Sequence, residues 1–503
     1  MMQAPQPCST LVFEGTETSA GQQHSRGSRL AQGLRAMGLQ TGDVVAVLLH
    51  NGLAYADVVH ACRIGGMTYC PLNWHFTAQE INFIMGDSGA KALITSQSLL
   101  DGLQAALDDS IPRLVVDARA GAQEQDYERW LERQKLYDGP FVSPRGHMAY
   151  TSGTTGRPKG VVRFEVPLDE LPGRQAMNRR LVETAYGLRE GARTLLTAPI
   201  YHSAPSLYFQ NALMLSELVV LEQRFDPETF LRLVQEHRID TAYMVPIMYV
   251  RLLRLPREVR DRYDLSSLRF VASTGAPCAP EVKKAMIEWL GLIINETYAS
   301  SESGLVTFID SQDALAHPGS AGLPLLDARV RILDKLGAPL PAGEVGLIYV
   351  RQPAYADFTY RGNDGARRKI EVDGMVTLGD MGYLDEEGFL YVCDRDSDLV
   401  ISGGVNIYPA EIENELLRHP SVSDCAVLGI PDAEYGERLH ALVEAPDAAP
   451  ALVSELQAWL KHRLAAYKIP RGIEFCTLPR DDNGKIAKRR LREQFWAAQQ
   501  RKV

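Results

Sequence analysis

Several features that would place this sequence of 503 residues in other functional classes are absent. Its seven cysteines are scattered and form no CxxC pair, which argues against a disulfide framework and against a zinc site. No apolar run reaches the roughly eighteen residues of a membrane span, and the chain does not open with a basic stretch followed by an apolar core. The net charge of -10 disfavours nucleic acid as the main partner, because phosphate backbones attract basic surfaces. We therefore expect a cytoplasmic protein without a transmembrane segment.

Internal repeats and long linkers rich in glycine, serine or proline are also missing. A chain of this length with 45% hydrophobic residues can bury large cores, and it is long enough for roughly two to four domains. Because no linker is long enough to be disordered, we expect the domains to meet at a tight hinge.

Alternating strand and helix patterns predict a largely parallel α/β sheet in the first part of the chain. The segments GDVVAVLLHN, AKALITS, PRLVVDA and GHMAY indicate strands, and apolar residues at helical spacing predict a helix over 53–66. After Arg395 the strand-like segments are SVSDCAVLGIPD, RLHALVEA and RGIEFCTL, with helical patterns over 410–418 and 452–464. The predicted fold class is α/β. It has a large N-terminal domain of mostly parallel sheets flanked by helices (1–395) and a small α+β C-terminal domain (396–503).

The loop YTSGTTGRPKG (150–160) combines three glycines, several hydroxyl side chains and Lys159. Glycines let successive backbone N–H groups turn toward one point and form an anion nest, and a lysine adds a point charge suited to phosphate. The loop is not a Walker A motif, since Pro158 precedes the lysine and no G-x-x-x-x-G-K-[ST] aligns. Considered by itself it indicates either a polyphosphate site or a glycine-rich surface turn.

This loop resembles the signature loop of the adenylate-forming superfamily, which includes acyl- and aryl-CoA synthetases, luciferases and the adenylation domains of peptide synthetases. Five further segments resemble the other motifs of that superfamily, in the same order: STGAPCAP (273–280), TYASSESG (297–304), GMVTLGD (374–380), DRDSDLVISGGVNIYPAEIE (394–413) and NGKIAKRRLR (483–492). Each motif alone is modest evidence, but six in order leave little room for chance. The chain is most similar to an acyl-CoA synthetase.

The resemblance implies a two-step reaction with ATP, Mg²⁺ and coenzyme A. A carboxylate attacks the α-phosphorus of ATP to give an acyl adenylate and pyrophosphate, and the thiol of coenzyme A then takes the acyl group and releases AMP. The residues implied for ATP are Thr151, Ser152, Gly153, Thr154, Thr155, Gly156, Lys159, Gly275, Ala276, Pro277, Tyr298, Asp380 and Arg395. Among them Tyr298 offers a face to adenine, while Asp380 and Arg395 match the ribose hydroxyls.

Three residues are implied for the chemistry itself. Glu302 occupies the magnesium position, Ser301 beside it can donate to the α-phosphate, and Lys485 bridges the substrate carboxylate and the α-phosphate. Outside its motif, Glu302 would read as a solvated surface glutamate. The other basic residues of the last motif are predicted to form a solvated basic face: Lys488, Arg489, Arg490 and Arg492.

The resemblance also implies a mobile C-terminal domain that turns about Asp396 and Ser397 between the two steps. Ser397 departs from the family pattern, where aspartate or lysine is common. Gly403 and Gly404 would let the pantetheine chain of coenzyme A pass close to the backbone; the alternative is that they merely form a tight turn.

The acyl pocket is predicted around the segment TAPIYHSAP, with Tyr201, His202, Met244 and Ala299 as its main residues. Tyr208, Pro246 and Ile247 would add to an apolar lining. The aspartate that holds the ammonium group in relatives that activate α-amino acids is missing, so the predicted substrate is an aryl, alicyclic or fatty carboxylic acid. Ala299 replaces the usual glycine, and the segment 163–175 also departs from the family pattern.

Three hypotheses follow from these motifs. The first is a free-standing acyl-CoA ligase acting on small molecules, with homodimer formation left open. The second is an adenylating enzyme that loads a carrier protein or another acceptor, including luciferase-like oxidation. The third is a nucleotide-binding homologue without catalytic activity.

Overall fold

The computed structural model describes residues 6–103, 107–118, 125–151, 158–403, 405–432, 434–446, 448–480, 486 and 488–496. Within them the strands are β1 (Thr10–Phe13), β2 (Thr16–Thr18), β3 (Val44–Leu48), β4 (Thr68–Pro71), β5 (Ala90–Ser96), β6 (Arg113–Val116), β7 (Gln125–Asp126), β8 (Tyr150–Thr151), β9 (Lys159–Arg163), β10 (Arg193–Leu196), β11 (Leu218–Leu221), β12 (Thr241–Met244), β13 (Phe270–Ser273), β14 (Ile294–Ser300), β15 (Gly304–Ile309), β16 (Leu323–Pro324), β17 (Arg329–Leu333), β18 (Gly346–Arg351), β19 (Phe358–Tyr360), β20 (Glu371–Val372), β21 (Met375–Leu384), β22 (Leu390–Arg395), β23 (Val400–Ser402), β24 (Val405–Ile407), β25 (Asp424–Asp432), β26 (Gly436–Glu444) and β27 (Gly472–Phe475).

The helices of the same residues are α1 (Ala20–Ala36), α2 (Leu53–Gly65), α3 (Ala78–Ser88), α4 (Gln97–Gly102), α5 (Tyr127–Glu132), α6 (Leu171–Tyr186), α7 (Ser203–Leu215), α8 (Pro227–Glu236), α9 (Pro246–Leu253), α10 (Arg257–Arg260), α11 (Pro280–Leu290), α12 (Ser311–Ala316), α13 (Asp364–Lys369), α14 (Pro409–Leu417), α15 (Pro450–Lys461) and α16 (Lys488–Trp496), with a short 3₁₀ turn at Ala466–Lys468. None of these helices is long and apolar enough to cross a membrane.

Two sheets of mainly parallel strands form the N-terminal part. The larger has nine strands in the order β16-β15-β14-β13-β12-β10-β11-β1-β2, and the other has five in the order β4-β3-β5-β6-β7. Every residue of β3 is buried, as expected for a strand covered on both faces. The predicted strands at GDVVAVLLHN, AKALITS and PRLVVDA are confirmed. GHMAY is strand only at its last residue, and His147 forms an isolated bridge with Tyr69.

Helix α2 shows how local sequence shapes this region. It ends at Gly66, whose φ of +65° is a left-handed conformation that suits glycine. A Cβ at Gly66 would lie 2.3 Å from the Val142 side chain, so the close approach also requires glycine. The helix predicted over 53–66 is therefore confirmed, and its last turn carries the half-buried Arg63.

The strands between 329 and 395 differ from the prediction of a mostly parallel domain. They form an antiparallel sheet in the order β17-β18-β21-β20, with β22 paired to β21. A smaller antiparallel sheet has the order β19-β9-β8. Short turns join β20 to β21 and β21 to β22, and such connections suit antiparallel pairing rather than the long crossovers of parallel strands.

The strands after residue 396 build a sheet of their own, in the order β24-β23-β26-β25 with β27 parallel to β26. Helices α14 and α15 pack against it over an apolar core that includes Val400, Ile412, Val427 and Leu456. The α+β prediction for this region is thus confirmed, whereas the exact boundary at 395 stays a prediction.

Candidate active site

A cavity of about 2760 Å³ lies between the N-terminal sheets and the C-terminal sheet. Strands β12, β13 and β14 are parallel neighbours, and the residues that follow or end them reach its wall. The carboxyl ends of parallel strands are the usual place for a ligand site in α/β proteins. The cavity wall includes Lys159, Tyr298, Glu302 and Asp380, so distant parts of the sequence meet there.

Glu302 lies in the turn between β14 and β15 and is only 7% exposed. Its Oε1 accepts hydrogen bonds from Thr151 Oγ1 at 3.2 Å and from Tyr360 Oη at 3.1 Å. Burial raises the pKa of this carboxyl group, and those two hydroxyl donors oppose the rise. Among the described residues, no other side chain donates a hydrogen bond to this carboxylate, so it keeps capacity for a ligand.

Lys159 lies near the same group. It stands opposite Thr151 in the β8–β9 hairpin, and its Nζ is 5.2 Å from the centre of the Tyr360 ring. Tyr360 comes from β19, which pairs with β9 and carries the ring to this position. One aromatic residue therefore contacts both the candidate phosphate lysine and the candidate metal carboxylate. The sequence analysis missed Tyr360, because no motif of that analysis includes the segment DFTYRG.

Arg163 is a second residue that the sequence analysis missed. Its Nη2 donates to the carbonyl oxygens of Ser301 at 2.9 Å and Glu302 at 3.0 Å, and its Nη1 donates to Ala356 O at 2.9 Å. Its guanidinium carbon lies 5.0 Å from the centre of the Tyr355 ring. Burial lowers the pKa of Arg163. The residue fixes the backbone of the turn that carries Glu302, and the only sequence signal was the atypical segment 163–175, which begins with it.

Ser301 is predicted to donate to the α-phosphate, and in the structure its hydroxyl group has a protein partner. Its Oγ lies 2.7 Å from the Oγ of Ser203, the first residue of α7. This hydrogen bond connects the Glu302 turn to the helix that borders the predicted acyl pocket. A ligand would have to share or replace it to use the Ser301 hydroxyl group.

The nucleotide residues also meet. Asp380 on β21 stands opposite Arg395 on β22 in the strand register. Its Oδ2 accepts a hydrogen bond from Tyr298 Oη at 2.6 Å, and its Oδ1 lies 3.3 Å from Arg395 Nε. Burial and the Asp380 carboxylate raise the pKa of Tyr298, so the phenol stays a donor. The structure thus brings the three predicted residues together as one hydrogen-bonded group.

The loop after β13 forms another part of the wall. Gly275, Ala276 and Pro277 line the cavity, and Gly275 has a φ of +94°. The preceding residue, Thr274, donates from Oγ1 to Thr297 O at 2.9 Å and ties this loop to β14. The predicted adenine-side backbone therefore lies beside Tyr298.

The acyl-pocket prediction needs a correction. Met244 is fully buried in β12, and Tyr201 is 6% exposed and packs edge-to-face on Trp74 at a ring distance of 4.6 Å, so neither lines the cavity. Tyr208 is also fully buried, among the rings of Tyr186 and Tyr243. Successive residues of a strand point to opposite faces, and a helix buries one side. Proximity in the sequence therefore does not show which of these residues line the cavity. The residues that do line the cavity in this region include His202, Tyr243, Pro246, Ile247 and Ala299.

The last motif also departs from its prediction of a solvated basic face. Lys488 is largely buried, and its Nζ lies 2.8 Å from Glu413 Oε2, which raises the pKa of the lysine. Arg492 donates to Ser397 O at 2.9 Å and to Glu437 Oε1 at 2.8 Å. The structure describes the side chains of Lys488, Arg490 and Arg492, and of these only Arg490 is strongly exposed. The periodicity of a short basic run cannot reveal such partners, since they come from residues far away in the sequence.

The predicted hinge and coenzyme A residues have clear surroundings where they are described. Asp396 N donates to Gly379 O at 2.7 Å, and Ser397 holds the Arg492 contact. Gly403 has a φ of +58°, and its N donates to Tyr435 O at 2.9 Å. These features match a tight turn. The remaining predicted residues lie outside the described part of the chain: Ser152, Gly153, Thr154, Thr155, Gly156, Gly404 and Lys485.

Comparison with known proteins identifies the family. A family model described as "AMP-binding enzyme" matches residues 3–358, and a second, described as "AMP-binding enzyme C-terminal domain", matches residues 411–485. The chain belongs to the AMP-binding enzymes. The predicted membership of the adenylate-forming superfamily is confirmed, and this AMP-binding enzyme is a ligase of the acyl-CoA synthetase type.

The names of its relatives give different acceptors for the acyl group. A feruloyl-CoA synthase of Amycolatopsis sp is 34% identical over 497 residues, which are 97% of this chain and 96% of that protein. A fatty acid–[acyl-carrier-protein] ligase of Streptomyces coeruleorubidus is 31% identical over 512 residues, covering 98% and 94%. The solved structure of an amide bond synthetase from Marinactinospora thermotolerans matches with a TM-score of 0.84 and 26% identity, covering 98% and 97%. The family is therefore established, while substrate and acceptor belong to the proposal below.

Proposed function

We propose that this AMP-binding enzyme is an ATP-dependent acyl-CoA ligase for a carboxylic acid with an apolar body, whether aryl, alicyclic or fatty. The acid is first converted to an acyl adenylate with release of pyrophosphate. The thiol of coenzyme A then attacks the acyl carbon and releases AMP.

One observation carries the proposal. Two groups of polar residues lie along the same cavity, and β14 with the turn that follows it connects them. The first consists of Thr151, Lys159, Glu302 and Tyr360, and the second of Tyr298, Asp380 and Arg395. Tyr298 lies in β14, and Glu302 lies in the turn that follows, so their spacing is set by a single strand end. The two groups suit the two ends of one nucleotide, phosphate at the first and base with ribose at the second.

The Glu302 group also fits a magnesium ion. Among the described residues, no cluster of three or more histidine, cysteine, aspartate or glutamate side chains offers a full protein cage for a metal. Mg²⁺ is commonly held by one or two carboxylates, with phosphate oxygens and water as the other ligands. Glu302 supplies such a carboxylate. Bound there, the ion would neutralise phosphate charge, while Lys159 adds a second cation and Arg163 keeps the turn in place.

The acid is expected to enter beside α7. His202, Ile247 and Ala299 border that part of the cavity, and Ser203 links it to Ser301. Lys485 would then bring its ammonium group to the carboxylate and α-phosphate during adenylation, as the family resemblance implies.

The first experiment measures pyrophosphate release from ATP and Mg²⁺ with benzoates, cyclohexane carboxylates and fatty acids of increasing length. We expect release with one of these classes. Absence of release with every acid, together with retained ATP binding, would favour the non-catalytic homologue instead.

A second experiment decides the acceptor. The accepted acid is incubated with ATP and coenzyme A, with ATP and a phosphopantetheinylated carrier protein, or with ATP and an amine, and the products are weighed by mass spectrometry. We expect the CoA thioester to form fastest. A faster carrier-bound product or amide would replace the proposed acceptor without affecting the adenylation step.

A further inference from the structure

One end of the cavity is lined by three helices and carries an unusual charge pattern. The lining residues from α2, α6 and α7 include Arg63, Arg174, Gln175, Asn178, Arg179, Leu207, Gln210, Asn211 and Met214. None of the described lining residues from these three helices is acidic. This end of the cavity, which we call the helical end, is therefore positive and rich in amides.

Arg63 differs from the other two arginines of the helical end. Arg179 forms ion pairs with Glu183 and Glu190, and Arg174 donates to Pro353 O at 2.7 Å. For the guanidinium of Arg63, no hydrogen bond or ion pair to any described residue exists. Burial lowers the pKa of Arg63, as expected for a cation that lacks a counter-ion. Arg63 is half-buried in the cavity wall, and its five N–H donors, which have no partner among the described residues, are available to an anion that enters the cavity.

The groups around Arg63 are polar but uncharged. Tyr69, whose hydroxyl group opposes the lowering of the Arg63 pKa, has its Oη 2.6 Å from Ser206 Oγ. The His147 ring lies 5.8 Å from the Tyr69 ring, and its Nδ1 is 3.4 Å from Gln210 Nε2. Burial lowers the pKa of His147 to about 4, so this histidine is neutral near pH 7. Arg63 thus carries an uncompensated positive charge, with an amide of Gln210 nearby.

The distance from the reaction centre can be read along α7. Ser203, Leu207, Gln210 and Met214 recur at helical spacing and share the face that lines the cavity. Ser203 bonds to Ser301 beside Glu302, whereas Gln210 reaches the Arg63 neighbourhood. With a rise of 1.5 Å per residue, Ser203 and Gln210 lie roughly 10 Å apart along the helix axis.

We propose that Arg63 is a specificity residue for a second carboxylate on the substrate, located roughly 10 Å from the carboxyl group that is activated. The inference rests on the proposed function and narrows its substrate class to acids with an apolar body and an anionic far end. The guanidinium binds that far carboxylate in the bidentate manner that arginine favours. Leu207 and Ile247 line the stretch between the two carboxylates.

Three rigid acids of the same shape test the proposal: cinnamate, 4-hydroxycinnamate and 4-carboxycinnamate. In pyrophosphate-release assays the wild-type enzyme should show a kcat/KM for the dicarboxylate that is about tenfold or more above that for the other two. Arg63→Met should lower this value by about 100-fold and change the value for cinnamate by less than about twofold. Arg63→Lys keeps the charge without the planar fork, so its kcat/KM for 4-carboxycinnamate should lie between the values of the wild type and Arg63→Met.

Arg179→Met is the matched control, because it removes a cavity-lining arginine whose charge is already paired. It should leave the order of the three acids unchanged. A readout without catalysis is the thermal shift of the wild-type protein with each acid in the absence of ATP, which should be largest for 4-carboxycinnamate and should vanish in Arg63→Met.

The outcomes separate the two proposals. Absence of pyrophosphate with any acid would count against the proposed function, and the thermal shifts would still decide whether Arg63 binds the anion. The inference is overturned if cinnamate or 4-hydroxycinnamate is used as well as the dicarboxylate by the wild type. It is also overturned if Arg63→Met lowers activity equally with all three acids, or if no acid shifts the melting temperature in an Arg63-dependent way.

Discussion

Glu302 combines a buried position with capacity for a ligand, and this combination is the main property of the site at the residue scale. Two hydroxyl groups, from Thr151 and Tyr360, hold Oε1, and the residue lines the cavity. Held in this way, the carboxylate loses little freedom when a cation binds, so its charge is preorganised for the reaction.

Glu302→Gln should keep an acceptor oxygen for both hydroxyl groups while removing the charge. We expect adenylation to fall by about 100-fold and its dependence on Mg²⁺ to weaken. Pyrophosphate release measured against Mg²⁺ concentration checks this. Glu288→Gln, which changes an exposed glutamate of α11, should behave as the wild type. Unchanged activity and magnesium dependence in Glu302→Gln would remove the metal role.

The same carboxyl group predicts a dependence on pH. Its raised pKa means that protons compete with Mg²⁺ at pH values above the usual range for glutamate. The Mg²⁺ concentration for half-maximal rate should therefore increase as the pH is lowered, and Glu302→Gln should lack this increase. Equal pH dependence in both proteins would assign the titration to another group.

Arg163 acts on the site through the backbone, so its loss should differ from a general loss of stability. Arg163→Lys replaces the planar fork, whose two nitrogens reach three carbonyl groups, by a single ammonium nitrogen that lacks this geometry. We expect adenylation to fall by about tenfold or more and the Mg²⁺ requirement to rise, because the Glu302 turn loosens. Arg174→Lys loses comparable carbonyl contacts away from Glu302 and should lower the melting temperature while keeping the magnesium requirement. Identical effects of the two variants would contradict a positioning role for Arg163.

Glu222, which follows β11, should limit stability at alkaline pH. Burial raises its pKa to about 8, and its Oε2 has no partner among the described residues. Because the folded pKa exceeds the unfolded value, the folded protein binds more protons, and stability falls as the pH rises between those two pKa values. Glu222→Gln should remove this fall and gain about 1–2 kcal/mol above about pH 8. Denaturant unfolding at acid and alkaline pH measures the gain, and a parallel pH profile for both proteins would disprove it.

At the scale of elements, the β14–β15 hairpin decides where Glu302 points. Gly304 begins β15 with a φ of +73°, and a Cβ there would lie 2.2 Å from the Tyr355 ring, the same ring that Arg163 covers. The hairpin, the ring and the arginine therefore pack as one unit. A change at the glycine should reach the active site through the backbone.

Gly304→Ala should cost about 2 kcal/mol or more of stability and reduce adenylation, because it adds a steric clash to a strained backbone angle. Gly343→Ala is the matched control, since Gly343 has a φ of +82° with no atom within 4 Å of an added Cβ. It should lose stability alone. Thermal unfolding and pyrophosphate release distinguish the two, and equal activity in both variants would show that the hairpin tolerates the clash.

At the scale of the whole molecule, the proposed two-step reaction leads us to expect that the C-terminal part changes its position between the steps. Lys485 is expected over the α-phosphate during adenylation, yet the thiol must later reach the same acyl carbon. The structure has a contact suited to control this change: Arg492 in the last helix donates to Ser397 O at the predicted hinge and pairs with Glu437. Breaking it should alter the balance between two orientations.

Arg492→Met should therefore change the rates of adenylation and thioester formation by different factors, each about three- to tenfold. Both half reactions are measured separately, the second from a preformed acyl adenylate. Ser397→Pro should also affect one half reaction selectively, and Lys485→Ala should abolish adenylation while sparing thioester formation. Arg463→Met is the control, because the guanidinium group of Arg463 stacks on Trp459 away from the hinge. Equal losses in both half reactions would contradict hinge control by Arg492.

The family and the α/β class were predicted correctly from the sequence, and candidate nucleotide residues could be selected from it, because chemistry at fixed spacing leaves a local pattern. A phosphate loop needs glycines and a lysine within a few residues, and buried parallel strands need continuous apolar runs. Such requirements act over short stretches, so Lys159, Glu302 and Asp380 could be selected before any contact was known.

The tertiary structure alone decided which side chains partner these residues and which face the cavity. Arg163, Tyr360 and Arg63 lie in segments without a motif. Arg163 and Tyr360 contact Glu302, which is more than fifty positions away from each of them in the sequence, and the fold places Arg63 in the wall of the same cavity. Met244 shows the same limit in the opposite direction, since strand alternation turned an expected pocket residue into the core. The sequence pattern specifies local chemistry, whereas burial and charge pairing depend on distant segments that only folding brings together.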